Sequence, residues 1–222
     1  MIVKMPYTVL SLQPQASKII QAYSSNKSDA PGLGFVDIKG RVIAMAEHCP
    51  LSEQRSLLAV HSCCADALMS HLRKYLPLFD ADIERLPLQV FHDTDSTAES
   101  EAEHEIPYKP GRLLLTHKEM ESLPFDDVRY TLFRQELRLP IHGEDFTDTM
   151  ILNVGPCERY ISYEKGCYLG QEIIARVHYK GKAPLCLDVI SEDSEPLNLT
   201  SPVSDPESGK RRGFLLTPNS SS

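Results

Sequence analysis

The stretch from Lys165 to Gly181 reads Lys165-Gly166-Cys167-Tyr168-Leu169-Gly170-Gln171-Glu172, then Ile173-Ile174-Ala175-Arg176-Val177-His178-Tyr179-Lys180-Gly181. Ile173, Ile174 and Val177 recur at helical spacing, and Glu172 and Arg176 stand four apart as a helical ion pair, so the spacing predicts a helix from near Leu169. Cys167 then falls just before the positive end of that helix and two residues from the Lys165 ammonium. Both neighbours favour a thiolate, the form in which cysteine acts as nucleophile or metal ligand. Gly166 and Gly170 allow close backbone approach or a positive φ. The plainer reading makes Cys167 a small buried hydrophobe and the glycines turn formers.

The rest of the chain sets the frame. It has 222 residues, 41% hydrophobic and 24% charged, within the range of an ordinary soluble protein of one large domain or two small ones. With 23 Lys and Arg against 31 Asp and Glu the formal charge is −8, which argues against a nucleic-acid binder driven by phosphate neutralisation. The longest apolar runs, such as Val42 to Ala46, are strand-sized and far below the roughly 20 residues of a membrane span. The first twelve residues make a poor secretory signal, so the expected location is cytoplasmic. The cysteines, Cys49, Cys63, Cys64, Cys157, Cys167 and Cys186, include no Cys-x-x-Cys pair and are expected as reduced thiols.

In the first half, Tyr7 to Leu12 and Leu57 to His61 read as strands, and Pro14 to Ala22 as a helix. Phe35 to Ile38 and Arg41 to Glu47 read as a hairpin around Lys39-Gly40. A longer helix runs from Cys64 towards Pro77, with Leu68, Leu72, Tyr75 and Leu76 at helical spacing. The order β-α-β-β-β-α predicts an α+β layer. Asp93, Asp95, Glu99, Glu101, Glu103 and Glu105 fall in a stretch without Lys, Arg or large apolar residues and are expected to form a solvated hinge. Thr116 and Glu119 have capping-box spacing for a short helix, and Phe125 to Leu137 carries Val128, Leu132 and Phe133 on one helical face. The expected division is residues 1–91 as an N-terminal β/α segment, 92–110 as an acidic linker, 111–190 as a second α+β segment, and 191–222 as a C-terminal remnant or tail.

Glu47, His48, Cys49, His61, Cys63, Cys64 and His71 bring metal-ligand types into a short span. Adjacent pairs such as Cys63-Cys64 point apart in a regular strand or helix, so no metal site is expected and core cysteines with surface histidines are.

The string Lys165 to Glu172 resembles the signature of the YgfZ family of folate-binding proteins, Lys-Gly-Cys-(Tyr or Phe)-x-Gly-Gln-Glu, and is complete here. The likeness continues in Asp37-Ile38-Lys39-Gly40-Arg41, in Arg138 to Asp145 ending Gly143-Glu144-Asp145, and in Ser201-Pro202-Val203 with Ser208-Gly209-Lys210 and Gly213-Phe214. The family's early Gly-Gln-(Leu or Phe)-Thr-x-Asp segment is not matched: Gln21-Ala22-Tyr23-Ser24-Ser25-Asn26 stands in that place.

The resemblance implies an aminomethyltransferase-like folate-binding fold with two segments packed around one cleft. The C-terminal β-barrel of longer members is expected to be missing or vestigial. The implied function is that of an accessory protein in iron-sulfur cluster assembly or repair, in a family associated with tRNA modification. Tetrahydrofolate or another folate would be the ligand, and the iron-sulfur machinery or its client proteins the partners, with at most transient cluster contact.

Cys167 would be the reactive thiol and Lys165 its electrostatic support. Asp37, Lys39, Arg41, Gly166, Tyr168, Gly170, Gln171, Glu172 and Arg176 would line the folate site. Within it Glu172 could accept from the pteridine edge, and Lys39, Arg41 or Arg176 could meet the anionic tail. Two other readings stand beside this one: a tetrahydrofolate-dependent aminomethyltransferase, and a degenerate binding module without catalysis.

Overall fold

The structure, a computed structural model, describes residues 1–99, 102–155, 157–192 and 197–219, and the side chain of Cys157 is outside the described set. In chain order the elements are β1 (Ile2–Lys4), β2 (Tyr7–Gln13), α1 (Ala16–Tyr23), β3 (Gly32–Val36), β4 (Val42–Pro50), β5 (Ser56–His61), α2 (Ser62–Arg73), β6 (Asp82–Leu86), β7 (Gln89–Asp93), β8 (His104–Pro107), β9 (Arg112–Thr116), α3 (Val128–Glu136), α4 (Gln171–Lys180), β10 (Leu185–Ser191), β11 (Thr200–Ser204) and β12 (Arg211–Pro218). No helix among the described residues is long and apolar enough to cross a membrane.

The central sheet has the order β3-β4-β5-β2-β6 and is antiparallel throughout. Its middle strands are largely apolar on both sides because both faces are covered. Leu10, Leu12, Leu58 and Val60 point to one side and pack with Ile19 and Ile20 of α1 and Leu68 and Leu72 of α2. Val9, Leu57 and Ala59 point to the other and meet Val90, Ile106, Leu113 and Leu115 of a second sheet, ordered β1-β7-β9-β8. The period-2 alternation of strand side chains divides each strand between two cores.

A third core joins the β3–β4 hairpin (Val36, Val42) to α4 (Ile174), Tyr168, and the C-terminal sheet through Leu187 and Phe214. That last sheet is ordered β10-β12-β11. Its β11–β12 hairpin, which turns through Gly209 at φ +69°, covers the Ser201 to Phe214 segment.

The β2-α1-β3-β4-β5-α2 order agrees with the α+β expectation, and the Lys39-Gly40 turn, with Gly40 at φ +74°, is where the pattern placed it. Three expectations give way. The acidic stretch is built into the second sheet at both ends, Asp93 in β7 and Glu105 in β8. Arg112, the first residue of β9, pairs with Asp93 at 3.2 Å and Glu105 at 3.0 Å, so the missing cation lies just beyond the run. Glu101 is outside the described residues.

No helix follows Thr116. Its hydroxyl accepts from the Lys118 amide at 3.0 Å, which turns the chain out of β9 instead of starting a helix. In α3 the covered face is Tyr130, Thr131, Arg134 and Gln135, whereas Val128 is 55% exposed. Arg134 is buried because Asp145 waits at 2.5 Å, and Asp145 also accepts from the Ile141 amide and the Ser201 hydroxyl. The aspartate of the Gly143-Glu144-Asp145 segment therefore ties α3 to the C-terminal sheet.

Candidate functional site

A cavity of about 580 Å³ lies against β4, beside the chain after α1 and the loops after β8 and α3. This is within the usual size of small-molecule sites. Met45, Leu139, Pro140, Ile151 and Val154 give it apolar walls, Tyr108 and Tyr160 aromatic ones, and Asn26, Lys109, Arg138, Glu158 and Arg159 polar ones. Lys109 and Arg138 are exposed at its rim, Arg138 pairing with Asp188 at 3.4 Å. Among the described residues, none in the lining is a serine, cysteine or histidine.

Behind the wall sits a buried ionic cluster. Glu47, in the middle of β4, is only 3% exposed, and a carboxylate in that position requires compensation. Arg159 donates to it through Nε at 3.0 Å and through Nη2, and the Tyr160 hydroxyl donates at 2.6 Å. The second use of Arg159 Nη2 is the Pro107 carbonyl at 2.9 Å, and its guanidinium lies 4.8 Å from the Tyr108 ring centroid.

Burial, and then the Glu47 charge, push the Tyr160 and Tyr108 phenols up. Burial alone would lower the Arg159 pKa, but Glu47 and the tyrosines outweigh it. The phenols therefore stay protonated and the guanidinium charged. The cluster fixes the wall, and the cavity presents aromatic faces inside and positive charge at its mouth.

The Lys-Gly-Cys loop lies next to this wall without lining the cavity. Lys165 is 5% exposed, and its Nζ donates to the carbonyls of Ile20 (2.9 Å), Ser24 (2.6 Å) and Asn26 (2.6 Å). The Lys165 ammonium, expected to support Cys167, is held by the negative end of α1 and the chain after it. Burial pushes its pKa down, to about 7, while every proton it carries finds an accepting oxygen. Asn26, held by this contact, lines the cavity and donates from Nδ2 to Gly32 O and Arg159 O, both at 2.9 Å. The unmatched Gln21 to Asn26 segment therefore contributes its last residue to the cavity lining.

Cys167 is exposed, and α4 begins at Gln171 after Gly170 at φ +82°, so the thiol stands further from the helix end than the spacing indicated. Tyr168 is buried in the third core, and Gln171 reaches back to the Lys165 carbonyl at 3.4 Å.

The two sequence motifs do meet. Gly170 packs its Cα against the Asp37 carbonyl and Val36, leaving no room for a side chain, and Gly40 lies against Ile174. Asp37 closes the hairpin turn by accepting from the Lys39 and Arg41 amides at 2.8 and 2.9 Å.

The charges of these motifs are spent on the surface. Lys39 is exposed, Arg41 pairs with Asp148 at 2.6 Å, and Arg176 pairs with Glu172 at 3.1 Å. Asp37, Lys39, Arg41, Gly166, Glu172 and Arg176 are not among the cavity-lining residues. Of the other grouped ligand types, Glu47 goes to Arg159, and His48 goes to Ala30 O and Ser56. His61, Cys63 and Cys64 come together at the start of α2, where the adjacent sulfurs lie 3.5 Å apart rather than diverging.

Several cavity-lining positions escaped sequence reasoning: Asn26, Tyr108, Arg159 and Tyr160 come from separate segments with no common spacing. The signal that was available is Glu47, an acid that follows the apolar run Val42 to Ala46.

The fold is aminomethyltransferase-like. The chain superposes on the crystal structure of glycine cleavage system aminomethyltransferase T from Bartonella henselae with a TM-score of 0.70 at 14% identity, covering 98% of this chain and 78% of that one. No family model and no curated protein matches it by sequence.

Proposed function

We propose that the chain is a folate-binding accessory protein of iron-sulfur cluster assembly or repair, with a folate such as tetrahydrofolate in the cavity and Cys167 as its reacting thiol. The observation that carries the reading is the cavity itself, an aromatic and apolar chamber with a cationic mouth in an aminomethyltransferase-like fold. A pterin ring matches Tyr108, Tyr160 and the apolar wall, and an anionic glutamate tail matches Lys109 and Arg138. In this reading the Asp37 to Arg41 hairpin, Gly166, Gly170, Glu172 and Arg176 form the surface around Cys167 on which the assembly machinery or a client protein docks. Lys165, through Asn26, joins that surface to the cavity wall.

In cells lacking this protein the expected phenotype is loss of iron-sulfur enzyme activity, restored by the wild-type chain and not by Cys167→Ser. That swap removes thiolate chemistry at little change in volume. Full restoration by Cys167→Ser would remove the thiol from the account. A second reading, a tetrahydrofolate-dependent aminomethyl transferase, is favoured by one observation, the carboxylate of Glu158 in the cavity lining. Repeated formation of methylenetetrahydrofolate from an aminomethyl donor, unaffected by Cys167→Ser, would put that reading first.

A further inference from the structure

A second site stands apart from the cavity, at the junction where β5 runs straight into α2. The junction is pinned to β2: the Ser62 amide donates to Pro6 O at 2.8 Å and the Thr8 hydroxyl to Ser62 Oγ at 3.0 Å. His61 is the last strand residue, and Cys63 and Cys64 lie in the first turn of the helix. The chain reversal brings all three side chains to one side. His61 Nδ1 is 3.0 Å from Cys63 Sγ, the two sulfurs are 3.5 Å apart, and all three ligand atoms lie within 4.8 Å of one another.

We propose that His61, Cys63 and Cys64 form a binding site for a soft d10 cation of the zinc class. At ordinary Zn–S and Zn–N bond lengths, tetrahedral ligands lie about 3.8 Å apart for two sulfurs and about 3.5 Å apart for nitrogen and sulfur. Here the His61–Cys63 edge of 3.0 Å and the Cys63–Cys64 edge of 3.5 Å are both shorter than that geometry and the third pair lies within 4.8 Å, so binding has to spread the first edge by about half an ångström. Gly143 closes over the three atoms, with no side chain between them. A Cβ at this position would stand 2.5 Å from Cys63 Sγ, 2.9 Å from His61 Nδ1 and 3.1 Å from Cys64 Sγ, and the φ of +94° is one that residues with a side chain rarely adopt.

The loop therefore approaches the ligands with backbone alone, its Gly143 carbonyl 3.8 Å from Cys63 Sγ. Beside it, the buried Nδ1 of His142 has no hydrogen-bond partner among the described residues. Two thiolates and an imidazole are the donor set that prefers zinc to calcium or magnesium. Metal binding displaces the thiol protons, which pass to solvent. Cys63 is exposed, so the fourth position opens to water.

The test is titration of the reduced full-length chain with Co2+ alone, followed by Zn2+. One Co2+ per chain should produce thiolate-to-metal charge-transfer absorption with tetrahedral d–d bands, and Zn2+ should bleach them. Cys63→Ser, a change at an exposed side chain, should weaken binding at least about tenfold, and Cys167→Ser should leave it unchanged. Absence of charge-transfer absorption at stoichiometric Co2+ would overturn the proposal, as would bands that survive Cys63→Ser and vanish in Cys167→Ser. Circular dichroism of each variant separates loss of ligand from loss of fold.

Discussion

Lys165 Nζ lies 2.6 Å from the carbonyl oxygen of Asn26, whose side-chain amide in turn reaches Arg159 O at the cavity wall. The lysine of the surface motif thus sets the position of a residue inside the cavity, with no side chain of the motif entering it. The physical basis is the cluster of carbonyls at the end of α1, where the ammonium adds a charged donor to the Ser24 amide and hydroxyl that also reach Ile20 O.

Replacing Lys165 by Met keeps the length of the stem and removes the three donors. The expected loss is about 1 to 3 kcal/mol, because the buried carbonyls lose their charged donor while Ile20 O keeps the Ser24 amide, and the wall at Asn26 should loosen with it. Urea unfolding gives the first quantity and hydrogen exchange at residues 24–26 the second. Unchanged exchange there would deny the link between motif and cavity.

Glu47→Gln leaves Arg159 charged and without its counter-ion behind the cavity wall, with an expected cost of about 3 to 4 kcal/mol. Tyr160→Phe removes one hydrogen bond to a charged group and should cost about 2 kcal/mol. The order of the two urea midpoints is the test. A larger loss in Tyr160→Phe would mean that the ion pair is not what holds the wall.

Arg134→Met strands Asp145, whose side chain is fully buried, and should cost about 4 kcal/mol. The double variant Arg134→Met with Asp145→Asn should be less destabilised than the sum of the two single ones, because the second change removes the stranded charge. Simple additivity in chemical denaturation would contradict the pairing.

Burial pushes the His92 pKa down to about 4 from 6.5. Nε2–H donates to Pro110 O at 2.8 Å, which leaves Nδ1 to accept from the Tyr130 hydroxyl at 2.9 Å and fixes the ring neutral. The unfolded chain binds the proton first as the pH falls, so this contribution is fully present above pH 6.5 and is lost progressively down to pH 4. The loss is of order 3 kcal/mol at most. His92→Gln should show a shallower fall in stability between neutral pH and pH 4.5 than the wild type, and identical slopes would exclude His92 as a source of the acid sensitivity.

The parts of the fold legible in the sequence were those written in local patterns. The hairpin of Asp37 to Arg41 needs a glycine at positive φ and has one, and the apolar spacing of Leu68 and Leu72 marks the buried face of α2. Patterns misled where a polar group is satisfied at long range. Arg134 belongs to the covered face of α3 only because Asp145 comes from another segment, and Asp93 is buried in a strand because Arg112 pairs with it. The cavity was illegible for the same reason, since Asn26, Met45, Tyr108 and Arg159 converge only after the sheets assemble. The Lys-Gly-Cys string was legible as a motif, but the direction in which Lys165 points depends on the end of α1, which no spacing within the string encodes.

The central claim, that the cavity holds a folate, is tested most directly by titrating the purified chain with tetrahydrofolate in a calorimeter, alongside Lys109→Glu and Arg41→Ala. The account predicts saturable binding of one folate per chain, weakened by at least about tenfold in Lys109→Glu, where a cationic mouth residue is reversed, and unchanged in Arg41→Ala. Absence of binding to the wild-type chain would contradict it, as would binding that Lys109→Glu leaves intact and Arg41→Ala abolishes.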